Sequence, residues 1–233
     1  MRLNVKKDIK KALRDTLPVL SGYMVLGMGF GVLMQTNGYG FWWVFAMSAL
    51  IYAGSMQYLA VDLLLGGASL ISAALTTLMV NARHLFYGIS MVDRYKGTGR
   101  KKPYLIFALT DETYSLVCSG NEDMSEGERH RYYFLVSVFN QIYWVFGSLI
   151  GALLGEIIPF STEGIDFALT ALFVTVFVEQ WKSTKEHTPA IIGVVASVVC
   201  LLVFGAGDFL ITAMLLITLF LSLPKLFKKE AQR

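Results

Sequence analysis

The chain is laid down as long apolar blocks, and its basic residues stay almost entirely outside them. The blocks fall at residues 17–35, 41–65, 69–92, 103–119, 131–155, 164–181, 189–205 and 207–224. A bilayer core about 30 Å thick takes roughly 20 apolar residues in a helix, so blocks of this length read as membrane helices. Only 16% of the 233 residues are charged, against about 25% in a soluble domain. Membrane-spanning strands would alternate apolar and polar residues, and these blocks do not. The expected fold is all-α and polytopic, with about seven to eight hydrophobic helical segments. With no linker to divide them, residues 17–224 read as one transmembrane domain.

The flanks orient that domain. Residues 1–16 hold Arg2, Lys6, Lys7, Lys10, Lys11 and Arg14, with Val5, Ile9, Ala12 and Leu13 at helical spacing. They read as an amphipathic helix lying on the anionic inner leaflet. No A-x-A-like site follows the first apolar block, so that block is expected to be retained. Loop 93–102 carries Arg94, Lys96, Arg100, Lys101 and Lys102, and residues 225–233 form a basic tail. The positive-inside rule places both termini and loop 93–102 in the cytoplasm. In a bacterial cell membrane the acidic loop 120–131 is then expected outside, by parity.

Eight simple crossings do not satisfy that topology. An even number must separate the N-terminus from loop 93–102, yet three blocks lie between them. One block in each half is therefore expected to be re-entrant, broken or split, which is tolerated where backbone lines a cavity. An internal repeat points the same way. Gly27 and Gly31 in 17–35 correspond to Gly147 and Gly151 in 131–155. Further on, Ser48-Ala49-Leu50 to Gln57 resembles Thr170-Ala171-Leu172 to Gln180. If one half starts inside and the other outside, residues 17–119 and 131–224 form an inverted repeat with discontinuous helices, a plan of many transporters.

Arg83 is the one basic residue inside a block, in Asn81-Ala82-Arg83-His84. A mid-membrane arginine costs at least about 2.5–3.5 kcal/mol on insertion scales. It must be paired, hydrated, or snorkelled toward loop 93–102. His84 shares a helix face with Asn81 and Gly88, where it is either a packing residue or part of a proton relay. Asp111 and Glu112 are adjacent carboxylates inside 103–119, costly unless paired or protonated. Asp111 is a candidate partner for Arg83; alternatively the block ends early. Gly54-Ser55-Met56-Gln57 interrupts 41–65, either to face backbone toward a ligand or to pack helices closely. The GxxxG pairs Gly27/Gly31 and Gly147/Gly151 read as helix-packing faces. Asp62, Asp166, Glu179 and Asp208 sit near block ends.

Other chemistries find no support. Gly97-Thr98-Gly99-Arg100-Lys101-Lys102 lacks the P-loop spacing, and neither HExxH nor GxSxG occurs. His130 and His187 lack ligand spacing for a metal. Cys118 and Cys200 lie in apolar blocks and read as buried side chains. No cofactor, nucleic acid or ATP is implied, and the chain does not read as an enzyme.

Gly54-Ser55-Met56-Gln57, Asn81-Ala82-Arg83-His84 with Tyr87-Gly88, and Thr110-Asp111-Glu112 resemble the AzlC family. So does Gly164-Ile165-Asp166-Phe167-Ala168-Leu169 with Ala171-Leu172-Phe173. That family is the large subunit of bacterial branched-chain amino acid exporters. The resemblance implies efflux of leucine, isoleucine, valine and analogues, and a small AzlD-type membrane subunit as partner. The expected substrate contacts are Ser55, Gln57, Asn81, Arg83 and His84, with Asp111 and Glu112 carrying charge or protons. A channel or ion-coupled transporter for another small solute is the competing reading.

Overall fold

The computed structural model describes residues 5–118, 123–157 and 184–230, together with 170, 174, 177, 178, 181 and 182. Among the described residues every regular element is helical. Three helices, Val5–Thr36, Glu126–Ile157 and Thr188–Gly205, are long and apolar enough to cross a membrane. Contacts divide the chain into two units, Met1–Leu169 and Thr170–Arg233.

In the first unit the helices are α1 (Val5–Thr36), α2 (Phe41–Ala46) continued by a π-helical turn (Met47–Ile51), and α3 (Gly54–Leu65). They are followed by α4 (Leu70–Val80), α5 (Arg83–Met91), α6 (Lys102–Phe107), α7 (Asp111–Val117) and α8 (Glu126–Ile157). α1 and α8 have 32 residues each. At 1.5 Å per residue that is about 48 Å, more than the bilayer core requires.

α1 and α8 lie side by side and run parallel. At the lower end, where α1 begins, the Arg131 guanidinium meets Asp8 at 2.8 Å. Higher up, Thr16 pairs with the Tyr143 hydroxyl at 3.2 Å. Above that, Gly27 and Gly31 face Gly147, Ser148, Gly151 and Ala152 so closely that a methyl group on any of the four glycines would strike backbone. Lipid tails are as apolar as leucine, so helices in a membrane associate by close van der Waals contact, which small residues permit.

Two hairpins hang on this pair from opposite ends. The first starts at the upper end, where the Tyr39 N–H donates to the Met34 carbonyl at 2.9 Å. α2 and its π-turn descend along α8 until Gln141 Nε2 donates to the Ala49 carbonyl at 3.0 Å. The chain reverses at Tyr52, whose φ is 47°. A left-handed conformation costs a non-glycine residue about 1–2 kcal/mol, and here the ring is held in the core, 4% exposed. α3 then climbs back, with Tyr58 donating to the Leu26 carbonyl at 2.6 Å. Tyr58 and Val61 join the upper core with Phe30, Leu33 and Met34.

The second hairpin starts at the lower end. α6 rises from loop 93–102, with Leu105 in a lower core that contains Ala12, Tyr95, Tyr132 and Tyr133. Its tip reaches the upper core at Ala108. α7 descends again, returning Val117 to the lower core. Between the hairpins, α4 and α5 make one descending crossing interrupted at Asn81–Ala82.

This arrangement differs from three expectations. Among the described residues, blocks 41–65 and 103–119 each run out and back along the α1–α8 pair, whereas block 69–92 runs one way, from the upper end to the lower. Because 103–119 does not cross, residues 123–131 do not lie opposite the N-terminus. They lie at the same end as α1's first turns and loop 93–102, with Gly97 against Glu126 and His130. For the same reason 17–35 and 131–155 are parallel, not inverted, so this part of the expected 17–119/131–224 repeat is not inverted. Its match at 170–180 falls largely outside the described residues, as do Asp166, Glu179 and the stretch 164–169. Third, residues 5–16 are not a separate surface helix. They are the opening turns of α1, with Ala12 fully buried in the lower core.

In the second unit, α9 (Thr188–Glu230) is broken at Gly205, φ 74° and ψ 175°. The break falls between the expected blocks 189–205 and 207–224. Before it, Trp181 stacks on His187 with centroids 4.0 Å apart.

Two outcomes follow. In a background lacking Cys118 and Cys200, an impermeant maleimide should label Asn37→Cys and Ala68→Cys from one face of the membrane. Lys96→Cys and Asp123→Cys should label from the other face. Labelling of positions 68 and 96 from the same face would exclude the two-hairpin arrangement. Gly31→Val should overpack the α1–α8 seam and cost at least about 1–3 kcal/mol, seen as a lower melting temperature in detergent. Gly22→Ala, which meets no neighbour, should not lower it.

Candidate functional site

The two hairpin tips and the α4–α5 break meet at one depth. Each interruption places a polar side chain there. Arg83 opens α5 because α4 ends at Asn81, whose carbonyl receives the His84 N–H at 2.9 Å. Ser55 lies in the first turn of α3, directly after the reversal at Tyr52. Asp111 and Glu112 open α7, whose N-cap Thr110 accepts from the Thr113 N–H at 3.2 Å.

Arg83 bridges all three segments. Its Nη1 contacts Asp111 Oδ2 at 2.6 Å, and its Nη2 donates to Ser55 Oγ at 3.2 Å. The Arg83 and Asp111 side chains are 33% and 26% exposed. Two buried atoms of the pair, Arg83 Nε and Asp111 Oδ1, have no hydrogen-bond partner in the protein. The geometry therefore leaves one strong donor and one strong acceptor side by side.

Glu112 faces a different environment. The Tyr23 hydroxyl from α1 donates to Glu112 Oε2 at 2.6 Å and lies 2.8 Å from Thr110 Oγ1. Tyr52 also faces Glu112, Tyr23 and Thr110. Its ring centroid is 6.2 Å from that of Phe107, joining the two hairpin tips. The Tyr87 hydroxyl stands beside Asp111, and the Tyr87 ring stacks on Tyr114 at 4.4 Å. One guanidinium and two carboxylates thus share the site. With both carboxylates ionised the cluster carries one net negative charge; one added proton makes it neutral.

The expected residues divide into three groups. Arg83 contacts both Ser55 and Asp111, and Glu112 follows Asp111 in the chain. Asn81 and His84 lie at the break, where His84 Nδ1 is 3.1 Å from the Asn81 carbonyl. His84 turns toward a cavity of about 240 Å³ between α5 and α6, whose wall is mostly apolar (Leu85, Met91, Val92, Ile106, Leu109) but also includes Tyr95 and Lys102. Gln57 is fully buried and faces elsewhere: Trp144 Nε1 donates to its Oε1 at 2.9 Å, and its Nε2 donates to Ser48 at 3.4 Å. Those bonds tie α3 to α8 and the π-turn. Sequence reasoning missed Tyr23, Tyr52 and Tyr87. A tyrosine in the middle of an apolar block was their signal, because a buried hydroxyl needs a partner. Among the described residues no group of three or more His, Cys, Asp or Glu is placed to hold a metal ion.

A family model described as AzlC protein matches residues 18–158, the span that builds both hairpins and the site. The branched-chain amino acid transport protein AzlC of Bacillus subtilis (strain 168) is 42% identical, over 92% of this chain and 86% of that protein. An uncharacterized membrane protein of Helicobacter pylori (strain ATCC 700392 / 26695) is also 42% identical, over 97% of each chain. The inner membrane protein YgaZ of Escherichia coli (strain K12) is 28% identical over 79% of each. No solved structure matches the chain. With a family model matching residues 18–158, and 42% identity to a relative over 92% of its own length, the chain belongs to the AzlC family.

Proposed function

We propose that this chain is a proton-coupled secondary exporter of branched-chain amino acids in the bacterial cell membrane. It works with a small AzlD-type membrane subunit, and both of its termini are cytoplasmic. The observation that carries the reading is the half-satisfied ion pair. Arg83 Nε offers a donor and Asp111 Oδ1 an acceptor, both buried and without protein partners. A zwitterionic amino acid matches both, its carboxylate on Arg83 and its ammonium on Asp111. Insertion replaces one ion pair by two, so no charge is left unpaired at low dielectric.

The largely apolar cavity beside His84, with Tyr95 and Lys102 also in its wall, receives the side chain. Its volume of about 240 Å³ lies below the range of drug-sized sites and suits an amino acid. An apolar wall discriminates one methylene by only about 1–3 kcal/mol, so leucine, isoleucine, valine and methionine should all be accepted. Glu112 carries the coupling proton, because the proton cancels the one net charge of the cluster. Broken helices around a mid-depth polar site, entered from opposite faces, suit alternating access.

Arg83→Ala should abolish efflux of preloaded labelled leucine while the protein remains in the membrane at wild-type amounts. Normal efflux by that variant would refute the assignment. Replacing Arg83 by Gln or Asp111 by Asn should each destabilise the protein, because each leaves a partly buried charge without its partner. The double variant should be more stable than the sum of the two losses by about 0.5–3 kcal/mol. Denaturant unfolding in detergent measures this, and additive losses would show that the pair is not coupled.

A further inference from the structure

A line of buried polar side chains starts at Glu112 in the site described above and runs beyond it to the lower end of the molecule. It begins with bonded groups. Glu112 accepts from Tyr23, whose hydroxyl is 2.8 Å from Thr110 Oγ1. Thr110 donates to Thr113 Oγ1 at 3.1 Å, and Asn140 Nδ2 donates to the same oxygen at 3.0 Å. The line continues down one face of α8, since Asn140, Ser137 and Tyr133 are spaced three and four residues apart. It ends at Tyr95, whose ring centroid is 5.8 Å from that of Tyr133. Tyr95 adjoins loop 93–102, where its carbonyl accepts from the Thr98 hydroxyl at 2.8 Å.

Burial makes this line unusual. Thr113, Tyr133, Ser137 and Asn140 are 0% exposed, and Tyr95 is 2% exposed. Yet Asn140 Oδ1, Ser137 Oγ, Tyr133 Oη and Tyr95 Oη have no protein partner. Each such group costs about 1–3 kcal/mol if left unsatisfied, and three within about 10 Å of α8, with Tyr95 beside the last of them, are not scattered packing defects. Buried polar groups of this kind are normally satisfied by ordered water, which needs two to four polar partners. α7 and α8 line the row, and loop 93–102 closes its lower end.

We infer that Tyr95, Tyr133, Ser137 and Asn140 line a water-filled proton path between Glu112 and the aqueous phase at loop 93–102. The proton on the Glu112 carboxyl passes to the adjoining hydroxyl and water network. Each oxygen accepts one proton and releases another, so the carboxylate is left ionised and one proton emerges in water. Tyr23, Tyr52, Tyr87, Arg83 and Asp111 surround Glu112 from the other elements and set its charge balance. Transport coupling through this path rests on the proton-coupled reading; the hydration of the path does not.

The test therefore has two readouts on the full chain in lipid vesicles. Hydroxyl-radical footprinting should modify Tyr95 and Tyr133 in the wild type despite their burial, because radicals form from water held beside them. In the Ser137→Ala, Tyr133→Phe double variant, modification of Tyr95 should fall at least threefold. Under an imposed pH gradient, proton flux followed with a trapped pH-sensitive dye should fall about tenfold in that variant. Exchange of labelled for unlabelled leucine without a gradient should be unchanged. Protection of both tyrosines in the wild type, or full proton flux in the variant, would overturn the path. Wild-type vesicles that conduct protons but do not exchange leucine would instead refute the substrate assignment and leave the path standing.

Discussion

The glycine seam between α1 and α8 is the contact on which the rest of the first unit hangs. Both of its cores are built on these two helices, the upper one around Phe30, Trp144 and Ala152, the lower around Ala12, Tyr133 and Val136. Bringing the backbones together at Gly27, Gly31, Gly147 and Gly151 fixes the depth of every residue along the pair. The hairpins then need only short contacts to find their places: Tyr58 to the Leu26 carbonyl, Gln141 to the Ala49 carbonyl, Tyr23 to Glu112. Salt bridges play a smaller part. Asp8–Arg131 ties only the lower end of the pair, with side chains 11% and 23% exposed.

Interrupted helices carry a cost in a membrane, since each break frees N–H and C=O groups that lipid cannot satisfy. Here the three breaks are gathered together and joined by side-chain contacts. Each lies against the other two, and each contributes a polar side chain to the same cluster. Arg83 is tolerable only because Asp111 and Ser55 arrive at its depth, and Asp111 arrives there only because α6 turns back at Ala108–Thr110. The left-handed backbone at Tyr52 belongs to the same bargain. A straight helix through 41–65 would relieve that residue but would carry Ser55 away from Arg83. The strain and the site therefore share one origin.

Much of this was legible in the chain. Arg83 stood out as the single basic residue within a block, and Asp111, a carboxylate inside another block, as its candidate partner. Gly205 lies where two blocks join, and the GxxxG pairs marked a packing face. What hydropathy could not report was direction. Block 103–119 is as apolar as a crossing helix, and composition does not record that the chain reverses at Ala108. From that one reversal came the misplaced acidic stretch and the inverted orientation expected of 131–155. The amphipathic spacing of residues 5–16 was read correctly as a helix but assigned the wrong neighbour, because the buried face of α1 and a lipid-facing stripe have the same pattern. Gln57 was misjudged in another way. A glutamine within an apolar block signals a required hydrogen bond, but not whether a ligand or Trp144 supplies it.

Asp111 and Glu112 are adjacent in sequence yet occupy unlike surroundings, and in the proposed transporter that difference would divide the work between them. Asp111 is held by a fixed positive charge 2.6 Å away, so its ionised form has a permanent counterpart. Glu112 is held by hydroxyl groups, which serve either protonation state because a hydroxyl both donates and accepts. A carboxylate locked to arginine is suited to receiving an ammonium group; one surrounded by hydroxyls is suited to gaining and losing a proton. One helical residue is about 100° of rotation, enough to turn Asp111 toward α5 and Glu112 toward α1. Adjacent placement at the start of a short re-entrant helix is thus a compact way to set two acids of different duty around one solute.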